Sequence, residues 1–168
     1  MAMKITHAAF GDIEFDPKHE LNEWETEIEW SGHPIRVDLT FDGATISSGV
    51  LDGLAWFVTD PAAFDELARR GLRQDLDRKG SAVKDYMDHH LDDLDAADLA
   101  QIFGAGSSRS VDAETFLRGM RLARIGLYPD EPESHAVLDY TLGEELTDYV
   151  LTVTLDNRQK IAGIAMES

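Results

Sequence analysis

From Glu23 to Glu29, glutamate occupies every second position, and Trp24, Thr26, Ile28 and Trp30 fill the positions after each one. A period of two predicts a strand with one wet face and one buried face. Ser31-Gly32 suits a two-residue turn, and Pro34 to Phe41 alternates in the same way. Such a turn fixes the register. Trp30 faces His33, Ile28 faces Ile35, Thr26 faces Val37 and Trp24 faces Leu39 on the core side. On the wet side Glu27 meets Arg36, and Glu25 meets Asp38 with no base between them, a mildly unfavourable like-charge pair. Pro34 has no N–H to give a further strand, so the side away from Glu29 is expected to be an edge there.

Four more runs, Leu122–Tyr128, His135–Leu142, Tyr149–Leu155 and Lys160–Met166, are rich in β-branched and aromatic residues and separated by turn formers. They read as an antiparallel meander. Two short extended pieces, Lys4–Phe10 and a stretch near Ile13–Phe15, precede the hairpin. In the meander Tyr149, Leu151, Val153 and Leu155 are expected on a buried face, with Val150, Thr152 and Thr154 on the other.

Between hairpin and meander the period changes to that of helices. Val50, Leu51, Leu54, Ala55, Phe57 and Val58 fit one buried helix, capped by Ser47 or Ser48. Asp60-Pro61 opens the next, with Phe64, Leu67, Ala68, Leu72 and Leu76 as its stripe. Ser81 opens a third, striped by Val83, Tyr86, Met87, His90, Leu91 and Leu94. Asp95 opens a fourth, and Asp112–Met120 reads as a fifth. Gly104 to Ser110 is the seam. The fold expected is therefore α+β: a mostly antiparallel sheet, built from the N-terminal hairpin and the four-strand meander, with four or five helices packed on it. It is read as a single domain over 1–168, with the helical section at about 47–120.

Charge alters this picture more than composition does. The formal net charge is −18, from 33 acidic and 15 basic residues, and the first 60 residues hold 12 of the acids and 3 of the bases. Such a surface repels nucleic-acid phosphates and anionic membranes, and attracts basic proteins. The chain has no cysteine, which excludes disulfides, thiol nucleophiles and thiolate metal sites. Without a signal-type leader or an apolar run of membrane-spanning length, a soluble cytoplasmic protein is expected.

Candidate chemistry is sparse. Asp85, Asp88, His89 and Asp92 share a helix face, and Asp85, His89 and Asp92 could together hold a divalent cation; a solvated acidic face is the plainer reading. His90 falls in the apolar stripe, as a core histidine with a hydrogen-bond partner. Gly104-Ala-Gly-Ser-Ser follows a helix and lacks the lysine of a phosphate loop. No cofactor motif and no G-x-S-x-G is present. Trp24, Trp56 and Tyr140 could line a pocket between sheet and helices. The glutamate row Glu23, Glu25, Glu27 and Glu29, with Asp38 opposite, is either edge protection or a docking surface for a basic partner. Glu131 and Glu133, in a loop remote in sequence, are expected to lie outside that surface.

The C-terminal part resembles a bacterial family of small acidic uncharacterised proteins catalogued as a domain of unknown function. The resemblance rests on Ile125-Gly-Leu-Tyr-Pro-Asp130, Asp139-Tyr-Thr-Leu-Gly143, Thr147-Asp-Tyr-Val-Leu-Thr-Val153 and Ile164-Ala-Met-Glu-Ser168. It implies no reaction, cofactor or catalytic residue. By analogy with small acidic immunity proteins, which block a cognate toxin, the expected function is a non-enzymatic protein–protein interaction module binding a basic protein such as a toxin. The alternative is a small enzyme or metal-binding protein using Asp85, His89 and Asp92.

Overall fold

A computed structural model describes residues 1–104 and 111–168. In chain order the elements are β1 (Met3–His7), β2 (Gly11–Phe15), β3 (Asn22–Trp30), β4 (His33–Phe41), α1 (Ser48–Leu54), α2 (Trp56–Thr59), α3 (Pro61–Asp75), α4 (Ala82–Asp93), α5 (Ala96–Phe103), α6 (Ala113–Gly119), β5 (Arg121–Leu127), β6 (Ala136–Thr141), β7 (Val150–Leu155) and β8 (Ile161–Glu167). Strands β1 and β2 form a separate hairpin, and the other six form one sheet in the order β3-β4-β5-β6-β7-β8. The chain is α+β, as its pattern predicts.

The β3–β4 register is the expected one at every pair from Trp30↔His33 to Trp24↔Leu39, and Glu25 stands opposite Asp38. Ser31 and Gly32 both take positive φ, 55° and 79°, as the mirror-image hairpin turn requires.

The sheet is mostly antiparallel, as expected, but it is mixed, because β5 runs parallel to β4 while the other four strand pairs are antiparallel. The cause lies in the helical section. It leaves the end of β4 and returns the chain to the end where β4 began, so the next strand must run the same way. The β4–β5 ladder spans Arg36 to Leu39. Pro34 lies before it, so its missing donor costs no bond to β5.

Six helices are formed among the described residues rather than four or five, since the expected first helix divides at Ala55 into α1 and α2. Four of the caps are side-chain caps, whereas Asp60, the cap expected before Pro61, makes no side-chain capping bond. Ser47, Ser81, Asp95 and Asp112 each accept a hydrogen bond from a backbone N–H of the first turn. The phosphate-loop candidate falls largely on residues 105–110, outside the described residues.

One face of the sheet is dry. Ile35, Val37, Leu39, Ile125, Leu127, Leu138, Tyr140, Leu151, Val153 and Leu155 are fully buried there, against Leu51, Leu54, Phe64, Ala68, Leu72 and Tyr86 of the helices. Gly71 lets α3 come close to β8, because a Cβ at that position would collide with Ile161.

Two polar braces fix the helices, one to this face and one to each other. The Tyr140 hydroxyl donates to Asp65 at 2.7 Å, and Asp65 also receives Arg69 Nε at 3.0 Å. Arg69 then donates to the carbonyls of Leu117 and Met120, both at 2.7 Å, which satisfies the otherwise orphaned end of α6. Burial, with the Asp65 carboxylate beside it, holds the Tyr140 hydroxyl well above its ordinary pKa. In the second brace the buried Asp75 accepts from the Ser81 hydroxyl at 2.8 Å and the Val83 amide at 3.0 Å, tying the end of α3 to the start of α4.

Candidate functional site

The other face of the sheet carries the charges. Alternation puts Glu23, Glu25, Glu27 and Glu29 on it from β3, and Arg36, Asp38 and Thr40 from β4. The neighbours of Asp38 depend on a bulge. Leu122 pairs with Tyr140, but Arg124 pairs with Asp139, so Ala123 is an extra residue. Without it Leu122 and Arg124 would share a face. With it Leu122 stays in the core and Arg124 turns onto the open face.

Arg124 is the centre of that face. Its Nε donates to Asp38 Oδ1 at 2.7 Å and its Nη2 to Asp38 Oδ2 at 2.9 Å, a bidentate pair. Nη1 donates to Asp139 at 3.1 Å, and Nη2 also donates to the Tyr128 hydroxyl at 2.9 Å. Asp139 receives the Thr152 hydroxyl from β7 at 3.0 Å. Gly126 makes room for the guanidinium, since a Cβ there would sit 2.7 Å from Arg124 Nη2 and 3.0 Å from the Tyr128 ring. Burial pulls the Arg124 pKa down, but the hydrogen bonds to Asp38 and Tyr128 outweigh it and leave the group more basic than usual. The side chains of Asp38, Arg124 and Asp139 are 17%, 21% and 15% exposed. They are held in place without being sealed off.

This corrects one expectation. Asp38 has its base, supplied from β5 in the same chain, so no partner is needed to relieve its proximity to Glu25.

Two hollows meet at Arg124 and Tyr128. One, of about 400 Å³, lies over β3 and β4 and is bordered by Glu23, Glu25, Arg36 and Asp38. The other, of about 590 Å³, runs from β5 to β8 and is bordered by Glu131, Asp139, Asp148 and Glu167, with Val137, Val150 and Thr152 as part of its wall. Among the described residues, these hollows bring together seven carboxylates and two guanidinium groups. Glu131 borders the larger hollow and not the one over the β3–β4 hairpin. Glu27 and Glu29 stay on the exposed part of β3 and line neither hollow.

The other candidates separate. Asp85, Asp88 and Asp92 are exposed on α4 and His89 is partly so. Asp88 pairs with Lys84, and His89 lies 3.7 Å from Asp93. Among the described residues, no three His, Asp or Glu side chains are grouped as a metal site. His90 is buried, with Nδ1 2.7 Å from the Tyr86 carbonyl and Nε2 2.8 Å from the Thr147 hydroxyl. Trp24, Trp56 and Tyr140 do not converge. Trp24 packs on Phe10, Trp56 on Phe57 and Phe64, and Tyr140 on the Asp65 brace.

Arg124, Asp139 and Tyr128 were not singled out by sequence reasoning. The available signal was Arg124 inside the apolar run Leu122-Ala-Arg-Ile-Gly-Leu127. Among the described residues, no helix is long and apolar enough to cross a membrane. Comparison with protein-family models, with curated proteins and with solved structures gives no match for this chain.

Proposed function

We propose that the chain is a protein-interaction module whose open sheet face docks a basic protein. The observation that supports this most is the Asp38–Arg124–Asp139 cluster. Two half-buried carboxylates are fixed by one guanidinium, so the centre of the face keeps an excess negative charge at little further ordering cost. Preorganised charge is what binding rewards, because flexible surface carboxylates must first be ordered. The larger hollow adds apolar wall from Val137 and Val150 below its carboxylates. That combination suits a lysine or arginine, whose aliphatic stem packs while its head stays charged. A basic toxin held and blocked on this face is the specific form of this reading that the analogy with small acidic immunity proteins suggests.

The reading is tested by capture from a native lysate with three forms of the chain: the wild type, the charge reversal Asp148→Lys with Glu167→Lys at the larger hollow, and the reversal Asp85→Lys with Asp92→Lys on α4. A basic protein retained by the wild type and the α4 variant, but lost from the hollow variant, is the expected result. Retention by the hollow variant, or loss only from the α4 variant, would contradict it.

A further inference from the structure

A cleft that shares no lining residue with the acidic hollows has the reverse electrostatic character. It has a volume of about 490 Å³ and lies where the β3–β4 turn, α3, α5, the end of α6, the start of β5 and the β6–β7 connection meet. Three of the chain's 15 basic side chains line it, Arg69, Arg118 and Arg121, against the two carboxylates of Asp65 and Glu145. In a chain of net charge −18, this is a local excess of positive charge.

The two carboxylates differ in what they neutralise. Asp65 is consumed by the brace to Arg69 and Tyr140. Arg69 has five N–H groups, and three of them serve Asp65 and the Leu117 and Met120 carbonyls. Glu145 reaches Arg121 only through one long contact, 3.5 Å, with both groups partly exposed at 61% and 35%. An ion pair of that kind is weak. Arg118 is exposed at the end of α6 and makes no ion pair with a described residue. Among the described residues, these two guanidinium groups, three residues apart where α6 gives way to β5, leave most of their donors without a partner. Beneath them Met120, Leu122 and Leu142 are buried and apolar, and Trp30 stands at the rim.

We propose that this cleft binds a small organic anion, a carboxylate or phosphate monoester with an apolar body. Arg118 and Arg121 meet the charged group, and the body lies over Met120 and Leu122. Guanidinium groups recognise planar and tetrahedral oxyanions through paired donors, and Met120, Leu122 and Leu142 give an otherwise mostly polar lining its apolar part. The site is independent of the open sheet face, and neither proposal needs the other.

The test is an amide-resolved NMR titration of the full chain with phenyl phosphate and with phenylacetate, with benzyl alcohol as the neutral analogue. Saturable shifts at Ser31, Met120, Arg121 and Leu146 are expected from the two anions, with benzyl alcohol weaker by about 10-fold or more. The variant Arg118→Glu with Arg121→Glu replaces exposed or half-exposed side chains, and its own spectrum reports that it is folded. It should lose the anion response, while Glu25→Lys on the open face should keep it. No saturable shift up to millimolar anion, equal binding of benzyl alcohol, shifts centred elsewhere, or unchanged affinity in the double variant would each overturn the proposal.

Discussion

Arg124 grips both carboxylate oxygens of Asp38 across the parallel β4–β5 pair, at 2.7 and 2.9 Å. Fork-to-fork geometry of this kind needs a planar guanidinium. Removing the arginine leaves two half-buried carboxylates side by side. Arg124→Met should therefore cost about 2–3 kcal/mol in urea denaturation, below the cost for a fully sealed pair because both partners keep some solvent contact. Arg124→Lys should recover little of it, since an ammonium cannot span both oxygens. Full recovery by lysine would show that charge alone, not the bidentate contact, matters here.

Strand β7 separates packing from hydrogen bonding. Leu151 is fully buried, and Leu151→Ala should cost about 2–5 kcal/mol through the cavity it leaves. Thr152 faces the other way, yet it is only 6% exposed, and its hydroxyl bonds Asp139. Thr152→Val should cost about 1 kcal/mol, the net value of one hydrogen bond. Equal losses would place a second packed layer over the open face and contradict its accessibility.

The Tyr140 hydroxyl and Arg69 share the task of satisfying Asp65. Tyr140→Phe should cost about 1–3 kcal/mol, because the partly buried carboxylate loses a donor that water does not replace well. Differential scanning calorimetry on the two forms measures this, and an unchanged midpoint would mean that Arg69 suffices.

His90 makes stability depend on pH. Burial holds its imidazole below the ordinary value, against the Tyr86 carbonyl and Asp93, which raise it. The depressed folded value means that the unfolded chain takes up this proton first as pH falls. The His90 contribution is thus complete above about pH 6.5, the unfolded value, and is lost as pH drops through the folded value. His90→Gln should show a flatter fall in stability than the wild type on acidification below that point. A steeper fall in the variant would reverse the sign.

Much of this architecture is legible in the residue pattern, for local reasons. The β3–β4 register follows from strict alternation and a turn that accepts positive φ at Ser31 and Gly32. The caps at Ser81, Asp95 and Asp112 need only the next three residues. The site is less legible because it depends on non-local geometry. Asp38 and Arg124 are 86 residues apart, and the parallel pairing that joins them is set by where the helical section ends. The bulge at Ala123 then reverses the face on which Arg124 lies, and simple alternation over Leu122–Leu127 would have buried it beside Leu122.

On this proposal the open face, with its fixed Asp38–Arg124–Asp139 centre, recruits a basic protein through its charge. The most direct measurement is the association rate of the captured basic partner with the wild type and with Glu25→Lys combined with Glu167→Lys, one reversal at each hollow, as a function of salt. Charge steering mainly sets the on-rate and is screened beyond the Debye length of about 8 Å at physiological ionic strength. A fast wild-type rate that falls steeply with salt is expected, with a variant rate lower by about 10-fold or more at low salt and nearly salt-independent. Equal rates with equal salt dependence would contradict it, and would leave the acidic face as protection of an exposed sheet.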